Sequence, residues 1–146
     1  MSTRSQIAFY GKADNKVTSA DTFVYKHSDG YPEGVLPILV PFCLSFNKHR
    51  GLGDTSYATA RCISAICDTY NKERKQWSAR DKAAGKETSI YDEPDFLGVG
   101  VDTAIHGDIE FFYHVSPTEV KVYACGWNQS PEDWKLVEKI VFKSNR

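Results

Sequence analysis

Two short segments carry the side-chain types that chemistry needs. The first, Tyr25-Lys26-His27-Ser28-Asp29-Gly30-Tyr31-Pro32-Glu33-Gly34, crowds an imidazole, two carboxylates and two phenols together just before a long apolar run. The second, His106-Gly107-Asp108-Ile109-Glu110, sets an imidazole and two carboxylates at alternate positions. Alternate residues of a strand share a side, so His106, Asp108, Glu110, Phe112 and His114 are expected on one face. Such a row can bind a metal ion, or hold a general acid and a general base at different pKa values. If the two segments meet, His27, Asp29, His106 and Asp108 are candidate metal ligands, with Glu110 as base for a metal-activated water. The structural alternative is simpler. The outer face of an antiparallel sheet is polar because it is wet, Asp29-Gly30 is a turn, and Glu33 is an anion favoured at a helix start.

The elements that position these residues follow from periodicity. Ser5 to Tyr10 and Thr22 to His27 are predicted strands, the latter with Phe23, Tyr25 and His27 on one side and Thr22, Val24 and Lys26 on the other. Val35 to Lys48 is apolar almost all round and reads as a buried helix, starting near Pro37 and kinked near Pro41. Asp54 or Thr55 caps a second helix whose buried stripe is Tyr57, Ala60, Ile63, Cys67, Tyr70 and Trp77. Residues 78–95 are charged, hold Gly85 and Pro94, and read as an exposed loop, an insertion or a fraying helix end. Leu97 to Asp102 is a glycine-spaced strand.

The next two strands form a hairpin. Ile109, Phe111, Tyr113 and Val115 share one face, as do Val120, Val122 and Ala124. A four-residue turn, Ser116 to Glu119, pairs Val115 with Val120 and puts both apolar sets on one side; a three-residue turn would bury Lys121. Ser130, Pro131, Glu132 and Asp133 are start signals for a C-terminal helix over residues 131–139. The whole is an α+β fold in one domain, residues 1–146: a mainly antiparallel sheet of about five strands, two central helices on one face, and a short C-terminal helix.

Composition narrows the function classes. A chain of 146 residues can bury a real core. A net charge of −1 creates no whole-chain field for nucleic acid or an anionic membrane, so neither partner is expected. The longest apolar run is too short to span a bilayer, and the polar residues Met1 to Gln6 show no secretory h-region. Cys43, Cys62, Cys67 and Cys125 have neither C-x-x-C nor zinc-ligand spacing, so reduced buried thiols and a cytoplasmic location are expected, with a catalytic thiol as the sharper alternative. No P-loop, nucleophile elbow or H-E-x-x-H motif occurs. Arg4 and Ser5 can meet an anion at the first strand's edge, or simply fray.

The chain also resembles a family of small proteins of phages, bacteria and archaea. The resemblance is carried by Thr3-Arg4-Ser5, by Tyr25-Lys26-His27-Ser28-Asp29-Gly30-Tyr31-Pro32-Glu33-Gly34-Val35-Leu36-Pro37, and by His106-Gly107-Asp108-Ile109-Glu110-Phe111-Phe112-Tyr113. The family's usual form has an aromatic residue where this chain has Ser28. The resemblance implies that the His27 and His106 segments belong to one recurrent unit and that a phage origin fits, with action in the host cytoplasm. It implies no activity or cofactor.

Three readings are therefore open. The first is a binding protein for a small polar ligand, such as a nucleotide, that sequesters a host signalling molecule. Its site would comprise Tyr25, His27, Asp29, Tyr31, Glu33, His106, Asp108 and Glu110, with Tyr25, Tyr31 and Phe112 available for stacking. The second is a metal-assisted hydrolase built on the same clusters. The third is a module that binds a host protein through an exposed apolar face.

Overall fold

The computed structural model describes residues 3–92, 98–127 and 130–143. In chain order the elements are β1 (Ser5–Phe9), β2 (Thr22–Lys26), α1 (Pro32–His49), α2 (Thr55–Ala83), β3 (Val99–Asp102), β4 (Phe111–Val115), β5 (Glu119–Ala124) and β6 (Lys135–Val141). They make an α+β fold. The strands form a six-stranded sheet in the order β3-β2-β1-β4-β5-β6. β1 and β4 run parallel at its centre, and the other pairings are antiparallel. The expected C-terminal helix is absent and a sixth strand takes its place.

Both faces of the sheet's central strands are buried. On one side Ile7, Phe9, Val24, Tyr113, Val115, Val120 and Val122 pack against Val35, Leu39 and Cys43 of α1 and Ala58, Cys62 and Ile66 of α2. On the other side Ala8, Tyr10, Phe23, Ile109, Phe112 and Cys125 pack with Trp134, and the connection from β1 to β2 adds Val17 and Ala20. The hairpin register is as expected, with Val115 opposite Val120 and Tyr113 opposite Val122. Ile109 differs. It lies before the strand begins and joins the second cluster, not the face of Tyr113.

Two further expectations need correction. α1 starts at Pro32 and runs through Pro37 and Pro41. Pro32 occupies the first turn, where a missing N–H costs nothing. Pro37 and Pro41 both sit on the exposed side, where water can take the carbonyls they leave without a donor. On α2 the buried set is Ala58, Thr59, Cys62 and Ile66, while Tyr57 and Ala60 face solvent. Small side chains let the helix lie close to the sheet, so its large rings are displaced to the rim. Tyr57 there holds the Arg50 guanidinium 3.9 Å over its ring. Of the alternatives for residues 78–95, the helix extension holds from Ser78 to Ala83. Beyond Gly85 the chain folds back: Arg74 donates to the Tyr91 and Asp92 carbonyls, and Ser89 Oγ to Asp81 at 2.6 Å. Residues 93–97, including Leu97 of the expected third strand, lie outside the described residues.

At the C-terminus the start signals yield one 3-10 turn, Pro131–Asp133, before β6. A cap is worth about 1 kcal/mol. Against it stand a full ladder with β5, the β-branched Val137, Ile140 and Val141, and burial of Trp134.

The parallel pair requires a crossover from β3, outside β2, to β4, beside β1. Residues 103–110 make it on the face away from the helices. One fully buried side chain bonds it there at three points. Gln6 Nε2 donates to Asp102 Oδ2 and to the Ala104 carbonyl, each at 2.9 Å, and Gln6 Oε1 accepts the His106 N–H at 3.1 Å. Gln6→Leu keeps the volume and removes all three bonds. Urea unfolding is expected to show a loss of at least about 2 kcal/mol, because buried groups left without partners cost about 1–3 kcal/mol each. A loss below about 0.5 kcal/mol would show that Gln6 does not hold the crossover.

Candidate functional site

The His27-to-Glu33 segment is shaped by where β2 ends. The His27 N–H donates to the Gly98 carbonyl at 2.6 Å, which keeps the chain on the sheet edge for one more residue. Asp29 then takes a positive φ of 54°, a conformation tolerated by Asp through its short polar side chain. Gly30 tucks against the start of β1: its N–H donates to the Thr3 carbonyl at 2.9 Å, and its carbonyl accepts from Tyr113 Oη at 2.6 Å. A Cβ on Gly30 would meet Ser5 Oγ at 2.6 Å, so only glycine fits. The chain then enters α1 at Pro32.

Because β2 alternates, this arrangement sends chemistry to two sides. On the helix side lies a groove of about 770 Å³. Lys26 and Ser28 line it from the strand, and Asp29, Tyr31 and Glu33 from the turn and the start of α1. Thr69, Tyr70, Glu73 and Trp77 close it from α2, and Val99 of β3 with Gly98 just before it completes the lining. Lys26 is 9% exposed, and its Nζ donates to the carbonyls of Ser28 at 2.6 Å and Asp29 at 3.4 Å. Burial pulls its pKa below the ordinary lysine value, although the charges of Asp29 and Glu73 act the other way. Tyr31 Oη donates to Asp29 Oδ1 at 3.4 Å, and the Asp29 charge raises the Tyr31 pKa.

On the opposite side lies the imidazole cluster. Tyr25 stacks on His106 with ring centroids 4.7 Å apart, and its hydroxyl lies 3.0 Å from His27 Nδ1. His106 Nε2 is 2.9 Å from Asp102 Oδ2, and its Nδ1 is 3.7 Å from Asp108 Oδ1. Arg4 Nη1 pairs with Asp108 Oδ2 at 2.5 Å. Burial, then the Asp108 charge, raises the Tyr25 pKa. The crossover held by Gln6 is what carries His106 over Tyr25.

The eight candidate residues thus divide. Tyr25, His27, His106 and Asp108 come together, while Asp29, Tyr31 and Glu33 line the groove on the other side. Glu110 stands at the head of β4, its N–H donating to the Arg4 carbonyl at 2.9 Å. The expected row from His106 to His114 is not one wet face. Phe112 is core, packed on Phe23 and Trp134, and cannot stack on a ligand. His114 is buried, stacks on Tyr10 at 3.7 Å, and has its pKa lowered by burial. The four proposed metal ligands do not converge, since Asp29 is across the sheet and Asp108 is engaged by Arg4. Among the described residues no group of three or more His, Cys, Asp or Glu side chains is placed to hold a metal.

Lys26, Tyr70, Glu73 and Trp77 were not foreseen as site residues. For Lys26 the signal was available: it shares a strand face with Val24, so a lysine had to sit on the core side. Comparison with known proteins finds no matching family model, no similar curated protein and no similar solved structure. No helix among the described residues is long and apolar enough to cross a membrane.

Three of the four thiols are closed to nucleophilic chemistry. Cys43, Cys62 and Cys125 are buried, and burial pushes Cys62 and Cys125 up to about 12 and raises Cys43 as well. An aromatic disulfide reagent is expected to titrate at most Cys67 in the folded protein, and the other three only after unfolding. Rapid reaction of a second thiol would contradict that burial.

Proposed function

We propose that the protein binds a small polar ligand in the groove beside Lys26. One observation carries this reading: a nearly buried lysine amine lies at the floor of a groove whose walls hold Tyr31, Tyr70 and Trp77. Concave sites with aromatic walls and a few fixed polar groups are the usual form of a small-molecule site.

The groove's charge selects among ligands. Asp29, Glu33 and Glu73 face one amine, so a neutral or cationic planar group is favoured and a polyphosphate is repelled. A nucleotide would therefore enter by its base and ribose, with its phosphates left in water. Sequestration of a host signalling nucleotide by a phage protein is the concrete form of this reading. The metal-assisted hydrolase has no assembled ligand set to draw on among the described residues. Binding of a host protein draws on β6, an edge strand with Leu136, Val137 and Val141 more than half exposed. Lys135, Glu138 and Lys139 interrupt that strip, as charges do on edges that avoid pairing.

A melting-temperature panel of the four ribonucleosides and their mono- and triphosphates tests the proposal. At a hundred times Kd, a bound nucleoside adds about 2.7 kcal/mol, a shift of several degrees. The nucleoside is expected to shift the melting temperature more than its triphosphate. Trp77→Ala is expected to weaken binding about tenfold or more, the worth of one stacked base. No shift at millimolar nucleoside, or a preference for triphosphates, would remove the proposal.

A further inference from the structure

The floor of the groove carries more than binding requires. Among the described residues, no carboxylate oxygen makes an ion pair with Lys26 within 4.0 Å. Its hydrogen bonds run to two main-chain carbonyls. A buried ammonium without an adjacent counter-ion tends to lose its proton. A neutral amine has two N–H bonds and one lone pair. The Ser28 and Asp29 carbonyls take both N–H bonds, which leaves the lone pair as the nitrogen's free direction, on a side chain that lines the groove.

We propose that Lys26 is a nucleophilic amine that captures a neutral aromatic aldehyde or ketone in the groove as an imine. This rests on the groove being a ligand site. The same burial that lowers the lysine's pKa raises its neutral fraction near neutral pH, which is how buried lysines become Schiff-base nucleophiles. The lone pair forms the C–N bond as the carbonyl π pair moves to oxygen, and one proton passes from nitrogen to that oxygen. The second N–H proton then leaves with the hydroxyl as water, and the nitrogen's electron pair becomes the C=N π bond. Uptake of a proton by the imine restores an N–H toward the Ser28 carbonyl. Tyr31, Tyr70 and Trp77 select a planar body for the carbonyl compound. Asp29, Glu33 and Glu73 disfavour an anionic one such as a 2-oxo acid.

The test is reductive trapping on the folded full-length chain near pH 7, with benzaldehyde as probe, sodium cyanoborohydride as hydride donor, and peptide mapping by mass spectrometry. Lys26 is expected to be benzylated about tenfold faster than the exposed Lys12 and Lys75, because burial favours its neutral, nucleophilic form. Raising the pH to 9 should accelerate the surface lysines more than Lys26, whose neutral form burial already favours. Glyoxylate should label Lys26 more slowly than benzaldehyde, and Trp77→Ala should slow Lys26 without changing Lys12. Labelling of Lys26 no faster than Lys12 and Lys75 across this pH range would overturn the proposal. Preferential labelling without any nucleoside shift would keep the reactive amine and remove the nucleoside. A nucleoside shift without preferential labelling would keep the binding site and remove the imine.

Discussion

A sheet covered on both faces gives the polar side chains of its central strands no access to bulk water, and the rest of the structure follows from that constraint. A buried donor or acceptor left alone costs about 1–3 kcal/mol, so most of these groups find a partner inside the protein, Ser5 Oγ and His114 Nδ1 excepted. Gln6 meets the demand with three bonds to the crossover, and in doing so fixes β4 beside β1. Tyr113 reaches across to the Gly30 carbonyl and ties the start of α1 to the middle of the sheet. Tyr10 donates to the Val17 carbonyl at 2.5 Å and anchors the connection that covers the second face. Lys26 turns back to the two carbonyls just beyond it.

The same constraint separates two chemistries that lie next to each other along the chain. Successive residues of β2 face opposite layers, so Lys26 enters the helix side while Tyr25 goes to the crossover side and His27 meets it there. The imidazole cluster is a closed set of contacts: each ring nitrogen of His106 faces a carboxylate, and Tyr25 covers the ring itself. Its role is explained by holding the crossover to the strand edge. The groove is the opposite case, an open space with an amine at its floor and rings on its walls.

Much of this was legible in the sequence. The hairpin register followed from keeping Lys121 off the apolar face. Phe23 and Tyr25 were correctly set apart from Val24 and Lys26. One group of failures depended on the second covering layer. Phe112 and His114 were read as wet because an antiparallel sheet usually has a solvated face, and nothing local announces that Val17, Ala20 and Trp134 cover this one. The signals at Ser130 and Pro131 are genuine local preferences, but the exposed ladder of β5 outweighed them. On α2 the rings of Tyr57, Tyr70 and Trp77 suggested a buried stripe, whereas close packing against the sheet required the small residues Ala58 and Cys62. The candidate site was half legible: Asp29, Tyr31 and Glu33 do line a groove, but its floor and far wall come from Lys26 and from α2.

Titration of Lys26 itself tests most directly whether a nearly buried amine lies at the base of that groove. In protein labelled with ¹³C at the lysine ε carbons, the Lys26 resonance, assigned with Lys26→Arg, can be followed against pH beside the exposed lysines. Desolvation beneath the groove predicts a midpoint clearly below theirs. A Lys26 midpoint indistinguishable from that of Lys12 or Lys75 would mean that water reaches the amine freely, and would contradict both the groove's floor and the chemistry assigned to it.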